Sequence, residues 1–279
     1  METFVRLEVD DGVGIVRLDR PPANALSHDM GVQLGTAFSE AAARDDVGAV
    51  VVWGGERLFA AGADIKEMAG FGPEEIRPVV GALADAIDAL EAMPKISIAA
   101  VTGYALGGGL ELALGADLRY LAEDASIGQP EVRIGVIPGA GGTQRLTRLL
   151  GPGRAGELIY TGAQIDAARA WDLGLANRVL PAAQVFPTAV ADARAFATGP
   201  RTALAAAKSA IRAATETPGA AGHGRERDLF VGLFGTEDQR EGMRAFLEKR
   251  PASWAGGSGT PGSSGGGAPD RTSAPDDPE

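Results

Sequence analysis

The chain has 279 residues, a formal charge of −11 and no cysteine. That length can bury a sizeable core, with one domain plus a subdomain as the natural arrangement. The acidic balance argues against a nucleic-acid or anionic-membrane footprint. The missing cysteines remove disulfides, thiolate nucleophiles and thiolate metal sites together. His28 and His223 are the only histidines, too few for a histidine cluster, so no metal is expected. METFVRLEVDDG carries no basic segment ahead of an apolar one, and nothing downstream reads as a membrane span. A soluble, cytoplasmic protein is expected.

In chain order, 3–9 and 13–18 flank Asp10-Asp11-Gly12 and read as a β-hairpin. RPPANALS is a loop, and Ser27 or Asp29 can cap the helix that follows to about Ala43. AVVVW, 49–53, is a short apolar run of the buried-strand kind. After it, Ala60–Ala63 forms a turn before a polar helical start, and Pro73-Glu74-Glu75 opens a helix reaching about Ala92. Pro94 stops that helix, and ISIAAV, 96–101, is the next buried strand. The order strand, glycine turn, helix has then repeated, which would place both turns at one end of a layered sheet stack.

Further on, Gly103-Tyr104 reads as a turn, and RYLA and ASIG as short strands. A loop enters a helix near Gly142, a helical hairpin is expected over 153–172, and ANRVL is a last strand. From about Ala183 to Lys249 the chain is alanine-rich and helical. Residues 252–279 turn to Gly, Ser, Pro and Asp, with four carboxylates against Arg271, and are expected to be a disordered tail.

Gly103 to Glu131 is the stretch with chemistry in it. Gly107-Gly108-Gly109 stands before an apolar helical run whose first turn holds one carboxylate, Glu111. Glycines ahead of a helix are often only a turn, and a first-turn glutamate is often only a dipole partner. Together they expose bare N–H groups to a ligand oxygen. Glu131 follows directly behind Pro130 in GQPE. Open amides beside two carboxylates are what an enzyme needs to form an enolate and move protons around it. GAGG at 139–142 lacks the third glycine of a dinucleotide loop, since position 144 is Gln. No phosphate loop and no nucleophile elbow are present.

FAAGADI (59–65), GYALGGGLELALGADLRY (103–120) and IGQPEVRIGVIPGAGGTQRLTRLLG (127–151) together resemble the enoyl-CoA hydratase/isomerase, or crotonase, family. The likeness runs from about Phe4 to Arg250. It implies an α/β fold, a crotonase-type spiral of ββα units over 1–198, with a helical oligomerisation subdomain over 199–251. It also implies that the amides of Ala63 and Gly108 are two oxyanion donors, and that Glu111 and Glu131 are the two acidic residues of true hydratases. Which of them is the base stays open. Ala23, Ala25, Ala61, Asp64 and Ile65 would lie along coenzyme A, with Lys66, Lys249 and Arg250 as candidate phosphate partners. The implied reaction is reversible hydration of a 2-enoyl-CoA, without metal or redox cofactor, coenzyme A entering only as part of the substrate. A homotrimer or dimer of trimers is the implied assembly. The nearest alternative is a Δ3-Δ2-enoyl-CoA isomerase. RNA binding, a side role in the family, is disfavoured by the charge of −11.

Overall fold

The computed structural model describes residues 2–217 and 219–255. β1 (Val5–Asp10) and β2 (Val13–Leu18) form the expected antiparallel hairpin, with Val5 opposite Leu18. Its turn residues, Asp11 and Gly12, both have positive φ, the combination that matches the twist of paired strands. Ser27, rather than Asp29, caps α1 (His28–Ala43), accepting from the Met30 amide. The helix turns Met30, Leu34 and Phe38 into the core.

β3 (Ala49–Trp53), the short α2 (Ile65–Met68), α3 (Pro73–Ala92) and β4 (Ile96–Val101) follow. Next come β5 (Tyr104–Leu106), α4 (Gly108–Gly115), β6 (Leu118–Ala122) and β7 (Ser126–Gly128). A 3₁₀ turn spans Glu131–Ile134, and α5 covers Gly142–Thr161. β8 (Gln164–Asp166), α6 (Ala167–Asp172), β9 (Arg178–Leu180) and α7 (Ala182–Ala197) complete the body.

The strands make a six-stranded sheet in the order β1-β2-β3-β4-β6-β9 and a three-stranded sheet in the order β5-β7-β8. Beyond the β1–β2 hairpin the larger sheet is parallel. That explains the unbroken apolar runs of β3 and β4, since helices cover a parallel sheet on both faces. α7 packs against β3, β4 and β6, while α1 packs on α3 and the hairpin. α4 packs against β5 of the smaller sheet, α3 and α5, and every residue of that helix is buried.

Two elements differ from the sequence reading. Gly103-Tyr104 leads into a strand, β5, paired parallel to β7. The hairpin expected over 153–172 is interrupted. α5 bends at Gly151 (φ 75°) and ends at Gly162, and Gln164–Asp166 then pairs with β7 before α6 begins.

The boundary expected after residue 198 falls between α7 and α8 (Arg201–Glu216), which α9 (Ala220–Leu233) and α10 (Glu237–Glu248) follow. α8 is tied to the body by buried Lys208, whose ammonium meets Asp117 at 2.7 Å and the Lys95 carbonyl at 3.0 Å. Asp117 accepts in addition from the Ser97 amide and hydroxyl, so the buried charge is fully engaged. Residues 252–255, expected in the tail, instead return to α10, where the Ser253 amide donates to Glu241 and the Ala255 amide to Asp238. The rest of the expected tail, 256–279, lies outside the described residues. Among the described residues no helix is long and apolar enough to cross a membrane.

Candidate active site

The two glycine turns meet. Leu26 bridges the first: its amide donates to the Gly62 carbonyl at 2.8 Å, and its carbonyl accepts from the Asp64 amide at 3.0 Å. Between those two bonds the Ala63 N–H is left without a backbone partner. In the second turn Gly107, at φ 50° and ψ −124°, swings the chain into α4. The Gly108 N–H is then the first of the helix and has no carbonyl behind it. A Cβ on Gly108 would lie 3.8 Å from the Ala63 nitrogen, which puts both open amides in one corner. Gly109 has a packing reason of its own: a Cβ there would sit 2.2 Å from the Ala60 carbonyl oxygen.

Glu111, one turn into α4, is 3% exposed. Its Oε1 accepts from the Ala140 and Gly142 amides, both at 2.8 Å. GAGG, 139–142, is thus a cradle for a carboxylate side chain, which accounts for its glycines without any nucleotide. Gly141 has φ 101°, and that turn aims the flanking amides the same way. Burial pushes the Glu111 carboxyl above its ordinary value, while the Gly142 and Ala140 amides and the Arg145 charge pull it back.

Glu131 opens the 3₁₀ turn and is half-buried. Burial pushes it up to about 7, and the charge of Glu111 adds to the rise. The buried Gln129, oriented with its nitrogen toward Glu131, donates to Oε1 at 2.6 Å and to Oε2 at 3.0 Å. One neutral amide opposes the rise less than two amides and a guanidinium do at Glu111. Hydrogen bonds and charge thus favour the ionised form more at Glu111 than at Glu131, whose rise includes the charge of Glu111.

Both carboxylates, both open amides, Ala61 and Ile65 line one cavity of about 690 Å³. Much of the remaining lining is apolar: Ile76, Val79, Val80 and Leu83 from α3, with Val136 and Ile137. A few polar groups converging in an apolar pocket of this size are the usual form of a small-molecule site. A second cleft, about 810 Å³, opens beside β9. There Asp192 pairs with the Tyr120 hydroxyl at 2.6 Å and with Arg178 at 3.0 Å, and the exposed Asp172 is the other carboxylate of the lining.

The other expected residues are placed as follows. Ala23 and Ala25 do not line the cavity; their carbonyls accept from the Ala61 amide and from Arg20, bracing the first turn. The Asp64 carboxylate is engaged within the protein, capping α2 at the Lys66 and Glu67 amides and pairing with Arg20 at 2.7 Å. Lys66 is exposed on α2, and Lys249 ends α10 away from the cavity lining. Arg250 is held by Glu241 and Glu248. Gln129, Ala140, Gly142 and the α3 wall were not read from the sequence. No single motif announces them: Ala140, Gly142 and the α3 wall act across contacts between distant segments, and Gln129 reads only as part of a turn.

This fold and corner define a class: an α/β enzyme fold with two unpartnered backbone amides beside paired carboxylates in one cavity. The enoyl-CoA hydratase/isomerase family model matches residues 8–257. A probable enoyl-CoA hydratase of Mycobacterium leprae is 45% identical over 247 residues, covering 85% of this chain and 92% of that protein. The mitochondrial enoyl-CoA hydratase of Pongo abelii is 42% identical over 243 residues, 87% of this chain and 83% of that one. Among solved structures, an enoyl-CoA hydratase from Bacillus anthracis has a TM-score of 0.87 at 37% identity, covering 91% of this chain and 100% of that one. The chain belongs to the enoyl-CoA hydratase/isomerase family.

Proposed function

We propose that the protein is an enoyl-CoA hydratase, adding water reversibly to a 2-enoyl-CoA to give the 3-hydroxyacyl-CoA. The observation that carries this reading is the single cavity shared by Glu111, Glu131 and the open amides of Ala63 and Gly108. The thioester carbonyl enters the corner between the two amides. As the enolate forms, its oxygen gains charge, and each N–H aimed at it lowers the barrier by ~3 kcal/mol. The N-terminus of α4 adds its dipole to the same oxygen.

A water held between the carboxylates is activated by Glu111, which its two amides and Arg145 favour as the ionised partner. Hydroxide attacks the β-carbon while Glu131 gives a proton to the α-carbon. Both groups act from the same side of the cavity, so the addition is syn. Turnover leaves Glu111 protonated and Glu131 ionised, and one proton transfer between them or through water resets the pair. No step in this sequence calls on a metal or redox cofactor.

Coenzyme A would run past Ala61 and Ile65, with Lys66 and Lys249 as phosphate partners, and the acyl chain would lie along α3. Ile211, Phe230, Phe234, Phe246 and Leu247 are all exposed on α8–α10. That apolar surface supports a trimer or a dimer of trimers, in which Lys249 would approach a neighbour's substrate. A cytoplasmic location fits the same reading. Hydration of crotonyl-CoA, followed by loss of the conjugated enoyl absorbance, is the test, and a folded protein with no rate above background would sink the proposal.

A further inference from the structure

Arg145, in the first turn of α5, is only 6% exposed and lies outside the cavity lining. It donates from all three guanidinium nitrogens. Nη2 reaches Asp88 Oδ1 and Glu91 Oε2 of α3, both at 2.6 Å, and Nε reaches Glu91 Oε2 at 2.9 Å. Nη1 turns the other way, to the Ala140 carbonyl at 3.0 Å. Ala140 is the residue whose amide donates to Glu111. A Cβ on Gly141 would lie 2.0 Å from Nη1, so glycine at that position is what admits the guanidinium beneath the loop. A residue serving only to staple α5 to α3 would need the two carboxylates and nothing from the loop.

We propose that Arg145 is a positioning residue for Glu111: anchored to Asp88 and Glu91, it holds the Ala140 carbonyl so that the Ala140 and Gly142 amides stay aimed at the carboxylate. The same anchor ties the loop to α3, the wall of the acyl pocket. One residue thereby couples the placement of the water-activating group to the helix that receives the substrate chain. The kinetic consequence rests on the hydratase reading; the structural one does not.

The groups that bear on Glu111 are Glu131 from the 3₁₀ turn and Arg145 from α5. Behind Arg145 stand Asp88 and Glu91 of α3, with Arg148 of α5 at 4.0 Å from Glu91. Removing Arg145 takes away a cation and loosens two donors, so Glu111 should bind its proton more tightly. The acid limb of the kcat/KM profile should then move to higher pH.

Arg145→Met, close in length but without donors, is expected to lower kcat at neutral pH about tenfold or more, with KM within about twofold. Arg145→Lys keeps the charge and loses the fork, and should recover the position of the acid limb better than it recovers kcat. An unchanged kcat and limb in folded Arg145→Met overturns the proposal. If that variant does not fold, the pair Asp88→Asn with Glu91→Gln releases the anchor while retaining the Arg145 charge. It should lower kcat with little change in KM, and an unchanged kcat overturns the proposal equally. A readout free of turnover is the carboxyl NMR titration of ¹³C-labelled glutamate, with Glu111→Gln assigning the signal. The Glu111 midpoint should rise by about one pH unit in Arg145→Met, an unmoved midpoint being contrary. That result stands even if the parent chain fails to hydrate an enoyl-CoA, a failure that would count against the proposed function alone.

Discussion

A Cβ on Gly107 would lie 3.1 Å from Oε1 of Glu131, so the residue just before α4 is packed directly against one of the two carboxylates. The same residue has φ 50° and ψ −124°, a conformation L side chains rarely adopt. Gly107→Ala thus strains the turn and pushes Glu131 at once. We expect a stability loss of ~1–3 kcal/mol from the backbone strain alone. Hydration should fall by more than the folded fraction explains, as kcat at saturating crotonyl-CoA would show. A variant with normal kcat would mean that the Glu131 position is not set from this side.

Gly108→Pro isolates the oxyanion donor. Proline is tolerated at a first helical position, where the missing N–H is not needed by the helix. Gly108 occupies that position, and its N–H has no backbone partner to lose. The ring would press on Leu83 and Leu26, whose methyls lie 3.1 and 3.3 Å from the Cβ site. Circular dichroism should show a folded protein, and turnover should drop ~100-fold or more. Near-parent turnover in that folded variant would remove Gly108 from the mechanism.

Much of this site was legible in the sequence because its parts are local. Gly107, Gly108 and Glu111 fall within one helix start, and Glu131 stands directly behind Pro130, so each short stretch shows its own chemistry. The long buried strands β3 and β4 were equally plain, being continuous apolar runs. The smaller sheet was not, since β5, β7 and β8 are three residues each, too short for any period to appear. Arg145 was invisible for another reason: a charge in a helix normally reads as a solvated face, and only the fold brings Asp88, Glu91 and Ala140 around it. The same holds for Asp64, whose carboxylate turns inward to α2 and Arg20.

Glu111→Gln and Glu131→Gln test the paired carboxylates while keeping their size. Each should lower hydration by ~10²-fold or more, the usual scale for a general acid or base. The double variant should lose far less than the product of the two, because both residues act on one water. Isomerisation of a 3-enoyl-CoA, if measurable, should survive one substitution better than the other, since it needs only one proton carrier. Either single variant hydrating crotonyl-CoA at close to the parent rate would exclude the two-carboxylate mechanism.

The raised carboxyl of Glu131 also predicts a cost in stability. Unfolded, the group titrates near 4.5; folded, near 7. Below pH 4.5 both states carry the proton and Glu131 contributes nothing. Between 4.5 and about 7 the unfolded chain ionises while the folded protein keeps its proton, so stability falls as pH rises through this window. Above it the penalty is constant. The full shift would correspond to ~3 kcal/mol, but Glu131 is only half-buried, and solvent screening together with the Gln129 amide reduces this to ~1–2 kcal/mol. Glu131→Gln should therefore raise the melting temperature at pH 8 and leave it unchanged at pH 4, while abolishing most activity. The parent kcat/KM should decline above about pH 7 as Glu131 loses its proton, and the residual activity of the variant should lack that limb. A variant that melts lower than the parent at pH 8 would show that the Glu131 charge is better accommodated in the fold than its burial implies.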